Sequence, residues 1–194
     1  MRHFFLEGDK FVGKSTMLQK VVQEMAIPVG GFYVERRRDA LGNITGFELK
    51  AASELSVSTN SLENVDHHCF IQTKDGKRSR NLAVFEEFGC ELLRKARQSG
   101  QIILLDEIGG VELLSDRFTK ELHTTIQQVP KILGVFKSEK NYQRQKQHTV
   151  EKLEISHQRE SLKQEIFKAD GEIIPFTHEN QDSLETRLRL FLKK

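Results

Sequence analysis

The chain has 194 residues, 37% hydrophobic and 30% charged, and its 30 Lys and Arg against 28 Asp and Glu leave a net charge of +2. That length suits one well-buried α/β domain and is short for two, and so small a charge gives no electrostatic ground for a nucleic-acid partner. Cys69 and Cys90 make no disulfide framework, and no apolar segment approaches the roughly 20 residues that span a bilayer, so a soluble, cytoplasmic protein without a membrane partner is expected.

The first predicted element is a buried strand over residues 3–7, built on His3-Phe4-Phe5-Leu6. This apolar run is too short for a secretory leader and passes straight into Gly8-Asp9-Lys10-Phe11-Val12-Gly13-Lys14-Ser15. A helix follows, from Lys14 to about Ala26, with Met17, Leu18, Val21, Val22 and Met25 on one face and Pro28 beyond its end. Strand, glycine-bounded turn and helix are the context in which the spacing G-x-x-x-x-G-K-[ST] forms a phosphate-binding loop. Gly8 and Gly13 let the backbone wrap a phosphate chain, and the loop amides with the helix N-terminus form an anion cradle. Lys14 places a charge on the outer phosphates, Ser15 offers a hydroxyl to a magnesium ion, and residues 8–15 with Thr16 make the expected nucleotide-binding set.

Residues 31–35 and 44–49 read as an antiparallel hairpin turning at Leu41-Gly42-Asn43. Residues 53–65, rich in serine and asparagine, give no assignment, and a weaker strand pair flanks Lys74-Asp75-Gly76-Lys77. A helix runs from Leu82 to about Gln98, closed by Gly100. Ile102-Ile103-Leu104-Leu105 is a central parallel strand ending in Asp106-Glu107. Ser115 or Asp116 caps a helix to about Gln128, and a strand covers residues 131–136. Residues 137–148 contain almost nothing to bury and read as a mobile loop or lid, and a helix covers about residues 149–167. A last strand over 173–176 precedes a terminal helix with Asp182 and Glu185 as a capping box. The alternation describes one α/β sandwich with an added hairpin, a single domain over residues 1–194.

The carboxylates at the end of the central strand complete the phosphate-binding chemistry. Asp106 would hold the ion through a water while Ser15 ligates it from the other side. Glu107, pointing differently along the strand, can face the terminal phosphate and take a proton from an attacking water. Arg144 is the first candidate for an arginine reaching the phosphate, followed by Arg80 and Arg38. Phe11 and Tyr33 are candidates for stacking on a base, and Asn180 and Asp182 for lying near it. Asp66-His67-His68-Cys69 lacks a second cluster with zinc-like spacing, and Arg36-Arg37-Arg38 reads as a solvated hairpin edge.

Four strings occur together in order: residues 8–15; Gly30-Gly31-Phe32-Tyr33-Val34-Glu35 with Arg38; Asp106-Glu107-Ile108-Gly109-Gly110-Val111-Glu112-Leu113-Leu114-Ser115; and Thr177-His178-Glu179-Asn180 with Asp182. With them the chain resembles the small P-loop nucleoside-triphosphatases, the family that includes the cancer-related nucleoside-triphosphatase and its thermophile relatives. The resemblance implies a three-layer P-loop NTPase sandwich, with a mostly parallel sheet and an extra strand between the two nucleotide-binding strands. It also implies Mg2+-dependent hydrolysis of nucleoside 5′-triphosphates, ATP and GTP among them, to diphosphate and phosphate with broad base tolerance. Lys14, Ser15, Asp106 and Glu107 carry over in the roles above, and Glu112 and Arg38 as organisers of the site. The chain departs from the family at Asp9-Lys10-Phe11, and after Val135-Phe136, where the family has a histidine and a short basic turn. Two alternatives stand beside hydrolysis: a kinase acting on a small acceptor, and a nucleotide-gated switch whose 137–148 loop docks a protein partner.

Overall fold

The computed structural model describes residues 1–56, 68–74, 77–148 and 153–193. In chain order its strands are β1 (His3–Gly8), β2 (Val29–Arg38), β3 (Ile44–Ala51), β4 (Cys69–Lys74), β5 (Lys77–Arg80), β6 (Ile102–Ile108), β7 (Ile132–Lys137) and β8 (Gly171–Pro175). The α-helices are α1 (Lys14–Glu24), α2 (Cys90–Ser99), α3 (Asp116–Gln128), α4 (Glu139–His148), α5 (Ser156–Lys168) and α6 (Gln181–Lys193). All eight strands form one sheet in the order β5-β4-β3-β2-β6-β7-β1-β8. The pairs from β2 through β6, β7 and β1 to β8 are parallel, and β2-β3, β3-β4 and β4-β5 are antiparallel. The expected hairpin is therefore the first part of a three-strand antiparallel extension, and β7 is the extra strand between β1 and β6.

Alternation along the central strands divides the core between the two faces of the sheet. Phe5, Ile103 and Leu105 pack with residues of α2, α3 and α5, whereas Phe4, Leu6 and Leu104 pack with those of α1 and α6. Each such side chain contributes about 1.5–3 kcal/mol on full burial, so four-residue apolar runs suffice to pin β1 and β6 in the middle of the sheet. Gly134 on β7 lets them close up, because a Cβ there would meet the Leu105 carbonyl and, at 2.6 Å, the Phe5 ring.

Several local expectations hold. The Ser115 hydroxyl accepts from the Phe118 amide at 3.2 Å, capping α3, and Gly100 ends α2 with φ 65°. Others need correction. Residues 139–148 form α4 rather than a mobile loop, because Tyr142, fully buried, anchors that polar segment in the core. The predicted helix from Thr149 begins only at Ser156, since Leu153 and Ile155 run into the core ahead of it; residues 149–152 lie outside the described part. Glu185 makes no capping box and instead reaches Lys20 on α1 and Arg189 on α6. Asp75 and Gly76 of the expected β4-β5 turn, and 57–65 of the unassigned segment, also lie outside the described residues. Among those residues no helix is long and apolar enough to cross a membrane.

Candidate active site

The glycine-rich loop leaves the C-terminal end of β1 and turns into α1 through left-handed backbone at Phe11, φ 66°, and Gly13, φ 97°. Gly8 is required where it stands, because a Cβ would lie 2.6 Å from the Phe176 carbonyl oxygen. Lys14 is almost fully buried and donates to the carbonyls of Gly8 at 3.0 Å and Asp9 at 2.5 Å. Burial pulls its pKa down, against the raising effect of Glu107, Asp106 and Asp9. The loop thus holds a cation at its mouth between backbone carbonyls and two strand-end acids.

Ser15, in the first turn of α1, meets Asp106 on β6. The Ser15 hydroxyl donates to Asp106 Oδ1 at 2.7 Å, and the Val34 amide donates to Oδ2 at 3.3 Å. Burial first, and the neighbouring Glu107 charge second, push the Asp106 carboxyl well above the usual carboxylate range. Hydroxyl plus buried carboxylate is a hard-oxygen donor pair that matches Mg2+ completed by phosphate oxygens and water. A cation there would also add to the countercharge that Lys14 supplies to Asp106. No group of three His, Cys, Asp or Glu side chains able to hold a metal occurs among the described residues. His68 stacks on Phe88 at 3.6 Å, while Asp66 and His67 lie outside the described residues.

In a regular strand Asp106 and Glu107 would point to opposite faces. Here the β6-β7 register shifts between Leu105 and Ile108, and Glu107 has φ 61°. The bulge turns both carboxylates into one cavity of about 460 Å3, bounded by Ser15 and Thr16 on one side and by β2 to β5 on the other. Glu112, also in its wall, accepts from the amides of Gly109 at 2.5 Å and Gly110 at 2.8 Å, fixing the turn after the bulge. Lys137, from the end of β7, stands 3.9 Å from Glu107 Oε2.

The unusual loop interior is accommodated by neighbours. Asp9 pairs with Lys140 on α4 at 2.6 Å, which with the Arg144 charge lowers its pKa. Lys10 lines the cavity, its pKa depressed by burial and then by Lys137. Phe11 is 68% exposed and lies under the Arg36 guanidinium, 4.6 Å from its ring centre. Val12 packs against the α1-α6 face of the core.

Of the predicted arginines, Arg144 is exposed on α4 and does not line the cavity. Arg38 does, but donates to Gly42 O in the hairpin turn at 2.6 Å. Arg80 lies on the β5 edge strand. Tyr33 lines the cavity, with its phenol pushed up to about 12 by burial and nearby glutamates. Asn180 ties β8 to α6 by accepting from the Thr177 amide and donating to Pro175 O, both at 2.9 Å. Asp182 sits in the first turn of α6.

Arg36, Lys137 and Arg159 are further residues at the site that no sequence motif marks. Arg36 reads in the sequence as hairpin surface. Lys137 follows an apolar strand, and the C-terminal ends of parallel strands are where such sheets place ligands, so a signal existed. Arg159 carried none: it is buried on α5 and donates to Gly109 O and, at 2.8 Å, to Lys137 O, bracing the strand ends from behind.

A family model described as NTPase matches residues 3–188. The chain is 31% identical over 132 residues to the cancer-related nucleoside-triphosphatase homolog of Bos taurus, covering 64% of this chain and 69% of that protein. Its fold is similar to the solution structure of a human cancer-related nucleoside triphosphatase, with TM-score 0.68 and 23% identity over 99% of this chain and 97% of the other. It is likewise similar to the crystal structure of THEP1 from the hyperthermophile Aquifex aeolicus, with TM-score 0.66 and 20% identity over 99% of both chains.

Proposed function

The chain belongs to the NTPase family and is a nucleoside-triphosphate hydrolase, and from that premise we propose that it cleaves the terminal phosphoanhydride of ATP, GTP and other nucleoside 5′-triphosphates, with Mg2+ as its cofactor. The observation that carries this reading is the bulge at Asp106-Glu107, which turns one acid toward Ser15 and the other into the open cavity. The loop amides of residues 8–16 align the phosphates, and Lys14 neutralises charge on the outer ones. Ser15 and Asp106 would hold the magnesium ion. Bound there, Mg2+ offsets the charge that builds on the phosphate oxygens. Glu107 orients a water against the terminal phosphorus and accepts its proton on the carboxylate, while Lys137 and the Glu112-braced turn keep that carboxylate in place. Residues 1–194 act as one cytoplasmic domain, without nucleic acid. A protein docking through residues 137–148 would meet the exposed face of α4, with Lys140, Gln143 and Arg144 on it.

Phosphate release from several nucleoside triphosphates with magnesium tests the assignment. Glu107→Gln is expected to bind nucleotide with unchanged affinity and to hydrolyse it about 10²–10⁴-fold more slowly, the usual worth of a general base. Equal rates in the two proteins would remove Glu107 from that role.

A further inference from the structure

The cavity beside Glu107 is far larger than hydrolysis needs. One water takes up about 30 Å3, whereas the cavity measures about 460 Å3, within the roughly 300–1,000 Å3 of sites that hold small organic molecules. Lys10, Ser15 and Thr16 bound one end, and under the reading above, on which this inference rests, the terminal phosphate and its ion occupy only that end. The rest extends beneath the antiparallel strands and is walled by Val34, Phe47, Phe70, Ile71 and Phe85. Cations line the same cavity alongside Asp106, Glu107 and Glu112. Arg36 is held over Phe11, and Arg78 from β5 lines the same space, near enough to Lys10 for their charges to interact. An apolar, aromatic chamber with guanidinium groups at its phosphate end is complementary to a molecule with a flat body and an anionic head.

We propose that this chamber is a second ligand site for a nucleoside 5′-monophosphate, with its base against Phe47 and Phe70 and its phosphate among Lys10, Arg36 and Arg78, where it accepts the terminal phosphoryl group. In that step an ionised oxygen of the monophosphate forms a bond to the terminal phosphorus. The bond from that phosphorus to the bridging oxygen breaks, and the donor leaves as its diphosphate. The acceptor becomes a second diphosphate, and no proton or electron is exchanged with a third reactant. The cations offset the repulsion between two approaching anions, a requirement that an attacking water does not impose.

The test fills the loop first with magnesium and the β,γ-imido analogue of ATP, then titrates AMP, GMP, CMP and UMP by calorimetry. At least one is expected to bind as a second equivalent. Arg78→Ala, on an exposed edge strand, should weaken that binding about tenfold or more, the loss of one charge-assisted contact, and leave hydrolysis without monophosphate unchanged. Phe47→Leu should weaken it as well. With GTP labelled on its terminal phosphate and the monophosphate that binds, label should appear in that monophosphate's diphosphate. Analogue binding without a second equivalent, or a second equivalent equally tight in both variants, would overturn the site. Label confined to inorganic phosphate would overturn the transfer. Failure of the analogue itself to bind would overturn the hydrolase reading as well, so the two failures are distinguishable.

Discussion

Glu107 stands at φ 61°, in backbone that a residue with a side chain adopts at a cost of about 1–3 kcal/mol. Its surroundings hold it there: Glu112 accepts from the amides of Gly109 and Gly110, and Arg159 donates to Gly109 O. The Walker-type loop was legible in the sequence because its chemistry is local, eight consecutive residues with fixed roles. Arg36 was not, because its place over Phe11 depends on β2 ending beside the loop. Arg36 lines the cavity wall and Arg144 does not, so Arg36 is the better placed of the two to reach the phosphates. Arg36→Ala is accordingly expected to lower kcat for hydrolysis about 10–100-fold, below the 10³–10⁵ of a fully inserted arginine because the side chain is exposed. Arg144→Ala should leave kcat within about twofold of wild type, since its tie to the site is the charge of Asp9 alone. Steady-state kinetics on the two variants decides between them.

At the scale of elements, α4 is where sequence pattern and structure part. Nothing in Glu139–His148 shows an apolar stripe, because one aromatic does the anchoring. Tyr142 is wholly buried, and its hydroxyl accepts from the Ile155 amide at 3.2 Å. The docked helix then reaches the phosphate loop at two points, Asn141 Nδ2 to Gly8 O at 3.1 Å and Lys140 to Asp9. Gln145 approaches Lys137 at 3.4 Å. Tyr142→Ala is expected to destabilise the protein by about 3–5 kcal/mol, the usual cost of an emptied aromatic site. At about 2–4 °C per kcal/mol for a chain of this size, that is roughly 6–20 °C in Tm. Tyr142→Phe, which keeps the ring but leaves the buried Ile155 amide without its acceptor, should cost about 1–3 kcal/mol. Thermal denaturation followed by circular dichroism measures both.

The whole molecule adds a dependence on pH that no single element shows. His3 is fully buried, with Nε2 on the Ile126 carbonyl at 2.9 Å, and burial lowers its pKa from the ordinary 6.5. Between that lowered value and 6.5 the unfolded chain binds more protons than the folded one, so stability rises with pH across the window. It is fully present above 6.5 and is lost as the pH falls below it. His123, lowered by the same cause, adds to the effect. Asp106, pushed up by burial, works in the opposite sense. The comparison of wild type with His3→Gln isolates the first contribution: urea midpoints from pH 8 to 5 should fall less in the variant.

The sequence by itself determined the loop, the acid pair, the α/β class and the added antiparallel strands. Each is written in consecutive residues or in a period that the backbone geometry repeats. Only the tertiary structure decided that a bulge turns Asp106 and Glu107 into one cavity, and that Arg36, Lys137 and Arg159 surround them. Those placements come from strands and helices far apart in the chain packing side by side, and no local pattern records which of them will meet.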